Sequence, residues 1–148
     1  MPVTTIFVGS ASAAKSQAKA VIKAFSGPTL TFLPWWEAFT AGRTLLDELD
    51  AVRSRVNGAL LLFSPESTTR IRKQKYAIPN LNVLFELGYF YGTLGKPRVA
   101  MLKYGEFYLP SDLGGYIHLF GSTSFKRGKA VPVGKRTRQE FARWIARL

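Results

Sequence analysis

A single carboxylate stands in the most apolar stretch of this sequence. Nearly every side chain in residues 83–94 is apolar or aromatic, and Glu86 is the one acidic residue among them. An ionised carboxylate buried without a partner is so costly that it normally shifts its pKa or is replaced. Its chemical use would be to bind sugar hydroxyls or to stabilise a developing positive charge. The alternative is a structural acid that pairs with an arginine or a backbone N–H.

The residues around Glu86 are predicted to form a helix. Asn80 or Asn82 can cap its start, and Gly95 followed by Pro97 provides a stop. The helix would carry Glu86 into the interior of the protein.

Two glycines in this helix, Gly88 and Gly92, fall one turn apart on one face. Interior glycines cost about 1 kcal/mol each relative to alanine. Their spacing therefore predicts that this face lies close against a sheet, with Glu86 pointing off it.

Apolar runs and helical periodicity alternate along the rest of the chain. Short β-branched or apolar runs predict five strands, at residues 3–8, 29–33, 59–63, 98–102 and 116–120. Apolar residues at helical spacing predict further helices at 14–25, 45–56 and 137–148, the last with capping-box spacing from Thr137 to Glu140. Residues 35–42 and 68–79 are predicted loops, and 109–115 is rich in turn residues. This alternation predicts an α/β fold of the flavodoxin-like kind, a parallel sheet with helices on both faces.

Length and composition limit the class of protein. The 148 residues make one domain, large enough to bury a core, and they include no Cys and one His. Cysteine catalysis, zinc ribbons and Cys/His metal sites are thereby excluded, and His118 is expected to be structural. No apolar run reaches the roughly 18 residues that span a bilayer. We expect a soluble, unexported, cytoplasmic protein with no membrane partner and no metal.

The chain is strongly basic, with 21 Lys and Arg against 9 Asp and Glu and a net charge of +12. Basic residues concentrate at 70–75 and 126–138. Such an excess favours polyanionic partners, so a nucleic-acid binder is one hypothesis, although a solvated basic surface has the same composition.

In a sheet of this kind, ligands bind beyond the carboxyl ends of the strands. The small-residue turn after the first strand, residues 9–12, suits a phosphate or a ribose hydroxyl, and Trp35, Trp36 and Phe39 could stack on a base or a nicotinamide ring. One carboxylate beside a ribose fits hydrolysis of an N-glycosidic bond, since it can stabilise the oxocarbenium-like charge. Nicotinamide is a good leaving group when cationic in NAD, so no second carboxyl is needed.

The sequence resembles the bacterial TIR-like domains that act as NAD-cleaving effectors in anti-phage signalling. The resemblance covers about residues 3–121. It rests on four motifs: Phe7-Val8-Gly9-Ser10, Trp36 with Phe39 and Gly42, Asn82-Val83-Leu84-Phe85-Glu86-Leu87-Gly88, and Leu109-Pro110-Ser111-Asp112-Leu113.

This resemblance implies a TIR fold with Glu86 as the catalytic residue. The substrate, NAD, would be bound without a further cofactor by Gly9, Ser10, Ser12, Trp36, Phe39 and Asn82. The family implies self-assembly through TIR contacts, in which the loop at 36–42 takes part, and a cyclic-nucleotide sensor. That sensor would be another domain of a longer chain or a separate protein, and residues 1–148 would be the TIR-like domain.

Two departures from the family pattern support a second hypothesis, a non-catalytic nucleotide-binding or self-assembly module. Ala11 and Ala13 stand where the family commonly has Ser and Glu. Asn80-Leu81 replaces an Arg-Asp pair that often precedes the central Asn. Both changes remove polar contacts to a nucleotide, and neither touches Glu86.

Overall fold

Parallel strands form the central sheet of the protein. The computed structural model describes residues 2–113 and 116–148, so the last two residues of the turn-rich segment at 109–115 lie outside the described residues. The strands are, in chain order, β1 (Thr4–Gly9), β2 (Leu30–Pro34), β3 (Gly58–Phe63), β4 (Ser67–Ile71), β5 (Gln74–Ile78), β6 (Val99–Tyr104) and β7 (Ile117–Ser122). The main sheet has the order β2-β1-β3-β6-β7, and all its neighbours are parallel. The strand order reverses between β1 and β3, which places the expected ligand site beyond their carboxyl ends.

Helices cover both faces of this sheet. They are α1 (Lys15–Phe25), α2 (Trp35–Ala38), α3 (Leu45–Arg53), α4 (Leu81–Thr93) and α5 (Lys135–Ile145). Buried side chains of α1 and α5 pack on one face, whereas those of α3 and α4 pack on the other. The predicted α/β fold with a five-stranded parallel sheet is confirmed. None of the helices in the described residues combines the length and apolar character that a membrane crossing demands.

The core is built by strand alternation on both faces. All six residues of β3 are buried, as expected for a central parallel strand. Leu60 and Leu62 contribute to one apolar cluster, whereas Leu61 and Phe63 contribute to the other. Because β3 is held from both sides, the loop that follows it and its neighbour β1 have a rigid base.

Helix α4 begins and ends as its sequence predicts. The Asn80 side-chain oxygen accepts hydrogen bonds from the backbone N–H groups of Asn82 at 2.9 Å and Val83 at 3.1 Å. At the other end the chain leaves the helix at Gly95, whose φ of +91° favours glycine. The helix is therefore anchored in register at the end nearest Glu86.

The predicted packing of Gly88 and Gly92 against the sheet is wrong. Both glycines are exposed, and a Cβ added at either would meet nothing within 4 Å. The opposite face, with Val83, Leu87 and Phe90, lies on the sheet because it can bury large apolar side chains.

Two predicted loops contain regular structure. Residues 35–42 begin with the short helix α2, and the basic segment at 68–79 folds as the antiparallel hairpin of β4 and β5. Charged residues obscured the hairpin in the sequence because both strands are largely exposed and lack an apolar face.

The capping box predicted from Thr137 to Glu140 is also wrong, because α5 begins earlier, with Gly134 as its N-cap. Both side chains instead bind the backbone of Phe120 in the edge strand β7. The Thr137 hydroxyl donates to the Phe120 carbonyl at 2.6 Å, and the Phe120 N–H donates to Glu140 at 2.6 Å. These bonds fix α5 to the sheet and satisfy the backbone N–H and C=O groups of Phe120 in this edge strand.

Candidate active site

Helix α4 places Glu86 against the carboxyl end of β1. The side chain is only 4% exposed, and its Oε2 atom has no hydrogen-bond partner among the described residues. Burial raises the pKa of Glu86 to about 8, from an ordinary value near 4.5. The carboxyl group is therefore held ready to gain a partner, because any ligand that donates a hydrogen bond to it or brings a positive charge relieves the cost of burial.

Gly9, the last residue of β1, makes room for that carboxyl. A Cβ at position 9 would overlap Glu86 Oε2 and would lie 2.7 Å from Leu61 Cδ1 and 3.1 Å from Phe7 Cε2. Real Cβ atoms do not approach neighbours that closely, so position 9 accepts only glycine without a shift of its surroundings.

The turn after β1 is tied to the segment after β2. The indole N–H of Trp35 donates to the Ser10 hydroxyl at 3.0 Å, and that hydroxyl donates in turn to the Ala11 carbonyl at 3.0 Å. Ser10 is buried, so these bonds satisfy its hydroxyl and fix its direction. A cation lies nearby, since the Lys15 ammonium is 5.8 Å from the Trp35 ring centroid.

A cavity of about 210 Å³ opens where these elements meet. Residues from four chain segments line it: Ser10, Ala11, Ser12, Trp35, Phe39, Leu45, Asn80, Asn82 and Glu86. It lies beyond the carboxyl ends of β1 and β2 and at the start of α4, which is the edge predicted from the sequence.

The structure brings most of the predicted site residues together. Ser10, Ser12, Phe39 and Asn82 line the same cavity as Glu86. Gly9 lies behind the carboxyl and does not line the cavity. Their roles in binding remain predictions.

Trp36 is placed elsewhere. It packs against the apolar cluster under α1, and the Lys15 ammonium lies over its ring at 5.1 Å from the centroid. Its neighbour Trp35 lines the cavity instead. The two indoles point in different directions because Trp35 and Trp36 begin the short helix α2, in which successive residues are rotated by about 100°.

Sequence reasoning did not predict Leu45 or Asn80 as lining residues, and it named Trp35 as a possible stacking ring but assigned Trp36 to the site. Trp35 was one of several aromatics in a predicted loop, where no periodicity shows which ring faces inward. Asn80 was expected only to cap α4, but in an α/β fold a helix start lies at the ligand edge, and this signal was available. Leu45 is the first residue of α3, and nothing in its local sequence indicates a cavity.

Two other cavities, of about 250 and 240 Å³, lie along β7. Their lining includes Arg136 and Glu140, which already pair with each other at 3.0 Å. His118 also lines them and its Nε2 lies 2.9 Å from the Leu113 carbonyl. Neither cavity contains a buried carboxyl oxygen without a partner, so the Glu86 cavity is the stronger candidate for chemistry.

The described part of the chain contains no set of side chains suited to bind a metal ion. No group of three or more His, Asp or Glu side chains lies close enough to hold an ion within residues 2–113 and 116–148. The Ser10 hydroxyl and the Asn80 amide already have hydrogen-bond partners within the protein. The cavity therefore offers a ligand the Glu86 carboxyl, the Ser12 hydroxyl, the Asn82 amide and aromatic surface, a set that suits a sugar and a planar ring.

Comparison with known proteins places the chain in a family. The model of the CAP12/Pycsar effector protein TIR domain matches residues 5–120. The chain belongs to this TIR-domain family. The match includes the whole cavity, and it confirms the resemblance to bacterial TIR-like domains of anti-phage effectors.

Curated relatives of this TIR domain include two whose names are related to that of the family. CD-NTase-associated protein 12 from Lachnospiraceae bacterium (strain RUG226) is 33% identical over 113 residues, covering 76% of this chain and 35% of that protein. The Pycsar effector protein PaPycTIR from Pseudomonas aeruginosa is 33% identical over 88 residues, 57% of this chain and 29% of that protein. A protein of Escherichia coli (strain K12) named YuaY is 34% identical over 84 residues, 51% of this chain and 26% of that protein.

The TIR domain thus spans about a quarter to a third of the length of these relatives. The names of two of them describe a protein associated with a CD-NTase and a Pycsar effector. What the larger proteins do depends also on the parts that this chain does not match.

Proposed function

We propose that this TIR domain hydrolyses NAD at the bond between nicotinamide and ribose. The observation that carries the proposal is the Glu86 carboxyl, buried beside a cavity at the ligand edge of the sheet with an oxygen that has no partner. A buried carboxyl without a partner is stabilised by a ligand that supplies hydrogen-bond donors and positive charge. The nicotinamide riboside half of NAD supplies both.

Glu86 would act on the ribose. The positive charge of the nicotinamide riboside half favours loss of the Glu86 proton to water on binding, and the resulting carboxylate accepts hydrogen bonds from the ribose hydroxyls and stabilises the positive charge that develops on the sugar as the C1′–N bond breaks. The bonding electron pair passes to the nicotinamide ring, which leaves neutral. Water adds to C1′ and gives up one proton, so the products are ADP-ribose, nicotinamide and H⁺.

The other lining residues would hold the two halves of this substrate fragment. Ser12 and Asn82 offer polar contacts to the sugar, and Trp35 and Phe39 offer rings on which nicotinamide can stack. Lys15, whose ammonium lies 5.8 Å from the Trp35 ring centroid, would supply positive charge for the pyrophosphate.

The volume of the cavity suggests that part of the dinucleotide lies outside it. About 210 Å³ is below the roughly 300–1,000 Å³ of typical ligand pockets. The adenosine half would then lie across the rim, where a second copy of the domain could complete the site. We propose that activity depends on self-association.

Exposed apolar surface beside the cavity supports this dependence. Leu46 of α3 is 49% exposed, and Leu81 and Phe85 of α4 are 66% and 50% exposed. The two helices lie side by side, since the Tyr89 hydroxyl donates to Asp50, and Leu46 and Phe85 each lie one turn before that contact. Apolar surface of this kind is a common feature of protein contacts.

In the cell, the proposed role is an effector of anti-phage defence in the cytoplasm. The names of the relatives support this role. The trigger would be a cyclic-nucleotide sensor, either in a longer chain or in a partner, that brings TIR domains together.

A second candidate function is a non-catalytic nucleotide-binding or assembly module. Ala11 favours it, because this buried methyl group lines the cavity where the family commonly has a serine. The module would bind NAD saturably and release no nicotinamide.

The test measures nicotinamide release from NAD by chromatography. The reactions contain protein at high concentration and a molecular crowder. The wild type is compared with Glu86→Gln, which keeps the shape of the side chain. Glu37→Gln is the matched control, since Glu37 is an exposed acid on the neighbouring helix α2. We expect release by the wild type and the control, and loss of at least about a hundredfold in Glu86→Gln. Saturable binding without release by any variant would favour the second function, and equal release by Glu86→Gln would exclude the proposed role of Glu86.

A further inference from the structure

The hairpin of β4 and β5 concentrates positive charge at its tip. Residues 67–78 contain four basic side chains, Arg70, Arg72, Lys73 and Lys75, and no acidic one. All four are exposed. The ion pairs found in the described residues are Arg43 with Glu48 and Arg136 with Glu140, so none neutralises the hairpin.

The arrangement of these charges is unfavourable for the hairpin itself. Arg70 and Lys75 are directly opposite each other on the two strands, a placement that destabilises a pair of like charges. Because Ile71 pairs with Gln74, the turn consists of Arg72 and Lys73 alone, and their φ angles are +50° and +69°. Turns of this type favour Asn and Gly at both positions. The tip therefore has basic residues where the fold alone would favour others, and strained positions of this kind are characteristic of functional sites.

Aromatic surface lies next to this charge. The rings of Tyr76, on β5, and Tyr108 lie 5.2 Å apart and are tilted, and Tyr108 is 40% exposed. The Tyr108 backbone N–H donates to the Ala77 carbonyl at 2.8 Å, which holds this segment against the edge of the hairpin. A shallow groove of about 460 Å³ runs along the junction, with Lys75, Tyr76 and Tyr108 among its lining residues and Glu106 as its carboxylate.

From these features we infer that the hairpin and the Tyr76–Tyr108 groove form a binding surface for single-stranded nucleic acid. Arg and Lys at the tip contact phosphates, and unpaired bases stack on the tyrosine rings. A basic track beside exposed aromatic rings is the usual arrangement of proteins that bind single strands without sequence preference. The phosphates of a duplex could contact the basic side chains, but its bases could not stack on the tyrosine rings, because they are already stacked on one another. The surface does not include Glu86 or its cavity lining, so the inference stands apart from the proposed hydrolysis of NAD.

The experiment measures fluorescence anisotropy of labelled dT20 and rU20 with the purified protein between 50 and 200 mM NaCl. The central variant is Arg72→Asn/Lys73→Gly, which removes two charges and gives the turn its preferred residues. Its matched control is Arg127→Gln/Lys129→Gln, which removes two exposed charges from another basic segment. Tyr108→Leu tests stacking, and a 20-base-pair duplex and poly-glutamate serve as competitors.

We expect Arg72→Asn/Lys73→Gly to unfold at a higher temperature than the wild type and to bind about tenfold more weakly at 100 mM salt. The slope of log K against log salt should become shallower by about 1.4, at about 0.7 per lost phosphate contact. The control should change affinity much less, and Tyr108→Leu should weaken binding of the single strand but not of the duplex.

Three results would overturn the inference. One is equal loss of affinity in the hairpin variant and the control, which would indicate an effect of net charge only. Another is competition by poly-glutamate as effective as by dT20, which would indicate an acidic protein partner. The third is tighter binding of the duplex than of the single strand.

Discussion

The Glu86 carboxyl lies in direct contact with the backbone of Gly9, although the two residues come from different elements. Gly9 ends β1, whereas Glu86 is in the second turn of α4. The contact exists because position 9 has no side chain, and it brings a buried acid to the carboxyl end of the sheet. The helix contributes the acid and the strand contributes the space for it.

Substitution of Gly9 by alanine tests this relationship. The added Cβ would overlap Glu86 Oε2 and contact Leu61, so the carboxyl must move. We expect Gly9→Ala to lose about 1–3 kcal/mol of unfolding free energy and most of any nicotinamide release. Gly27→Ala is the control, because a Cβ there would meet nothing within 4 Å. Urea unfolding and the chromatographic assay measure the two effects, and a fully active, equally stable Gly9→Ala would contradict the geometry.

The raised pKa of Glu86 also predicts how stability depends on pH. In the folded protein the Glu86 carboxyl stays protonated up to about pH 8, whereas in the unfolded chain it loses its proton near pH 4.5. The folded state therefore binds more protons between these values, and the contribution of Glu86 to stability falls as pH rises from about 4.5 to about 8.

Glu86→Gln removes this dependence because glutamine does not ionise. We expect the stability of the variant, measured relative to the wild type, to be higher at pH 8.5 than at pH 5 by on the order of a few kcal/mol, because only the wild type loses stability as the pH rises. The measurement is urea unfolding at the two pH values, with Glu37→Gln as control. A difference that is the same at both pH values would show that Glu86 ionises normally in the folded protein.

The fold could be predicted from the sequence because its main signals are strong and local. The continuous apolar run of β3 and the Asn80 cap of α4 each follow from residue type and position. The hairpin at 67–78 was not predictable in this way, because its strands are exposed and have no apolar face to show a period of two.

The candidate site was predictable to the level of segments. The strand pattern predicts the edge of the sheet at which the cavity lies, and the single acid in an apolar helix predicts Glu86. The sequence does not predict which of Trp35 and Trp36 lines the cavity. That choice depends on a four-residue helix that directs one indole into the cavity and the other onto the core. The face of α4 that carries Gly88 was assigned wrongly because glycine spacing alone does not show which side of a helix is buried.

The exposure of Gly88 leads to a prediction about stability. The residue lies inside α4, faces solvent and has no neighbour within 4 Å of an added Cβ. We expect Gly88→Ala to raise the unfolding free energy by about 0.5–1 kcal/mol, since alanine loses less conformational entropy in a helix. Gly95→Ala should do the opposite because of its φ of +91°. Urea unfolding of both variants makes the comparison, and a destabilised Gly88→Ala would mean that this face packs against something.

The two neighbouring tryptophans provide a matched pair for the cavity itself. Trp35→Phe keeps an aromatic ring but removes the N–H that holds the Ser10 hydroxyl, whereas Trp36→Phe changes a ring that packs under α1. If the cavity binds nicotinamide riboside, Trp35→Phe should lower kcat/KM for nicotinamide release by about tenfold, as expected for a lost hydrogen bond and a displaced hydroxyl. Trp36→Phe should change kcat/KM less than twofold, with thermal unfolding as the check that both proteins are folded. The opposite ranking would indicate that the substrate binds on the other side of α2, where Lys15 and Lys19 lie over the Trp36 ring, and that this cavity is not the site of hydrolysis.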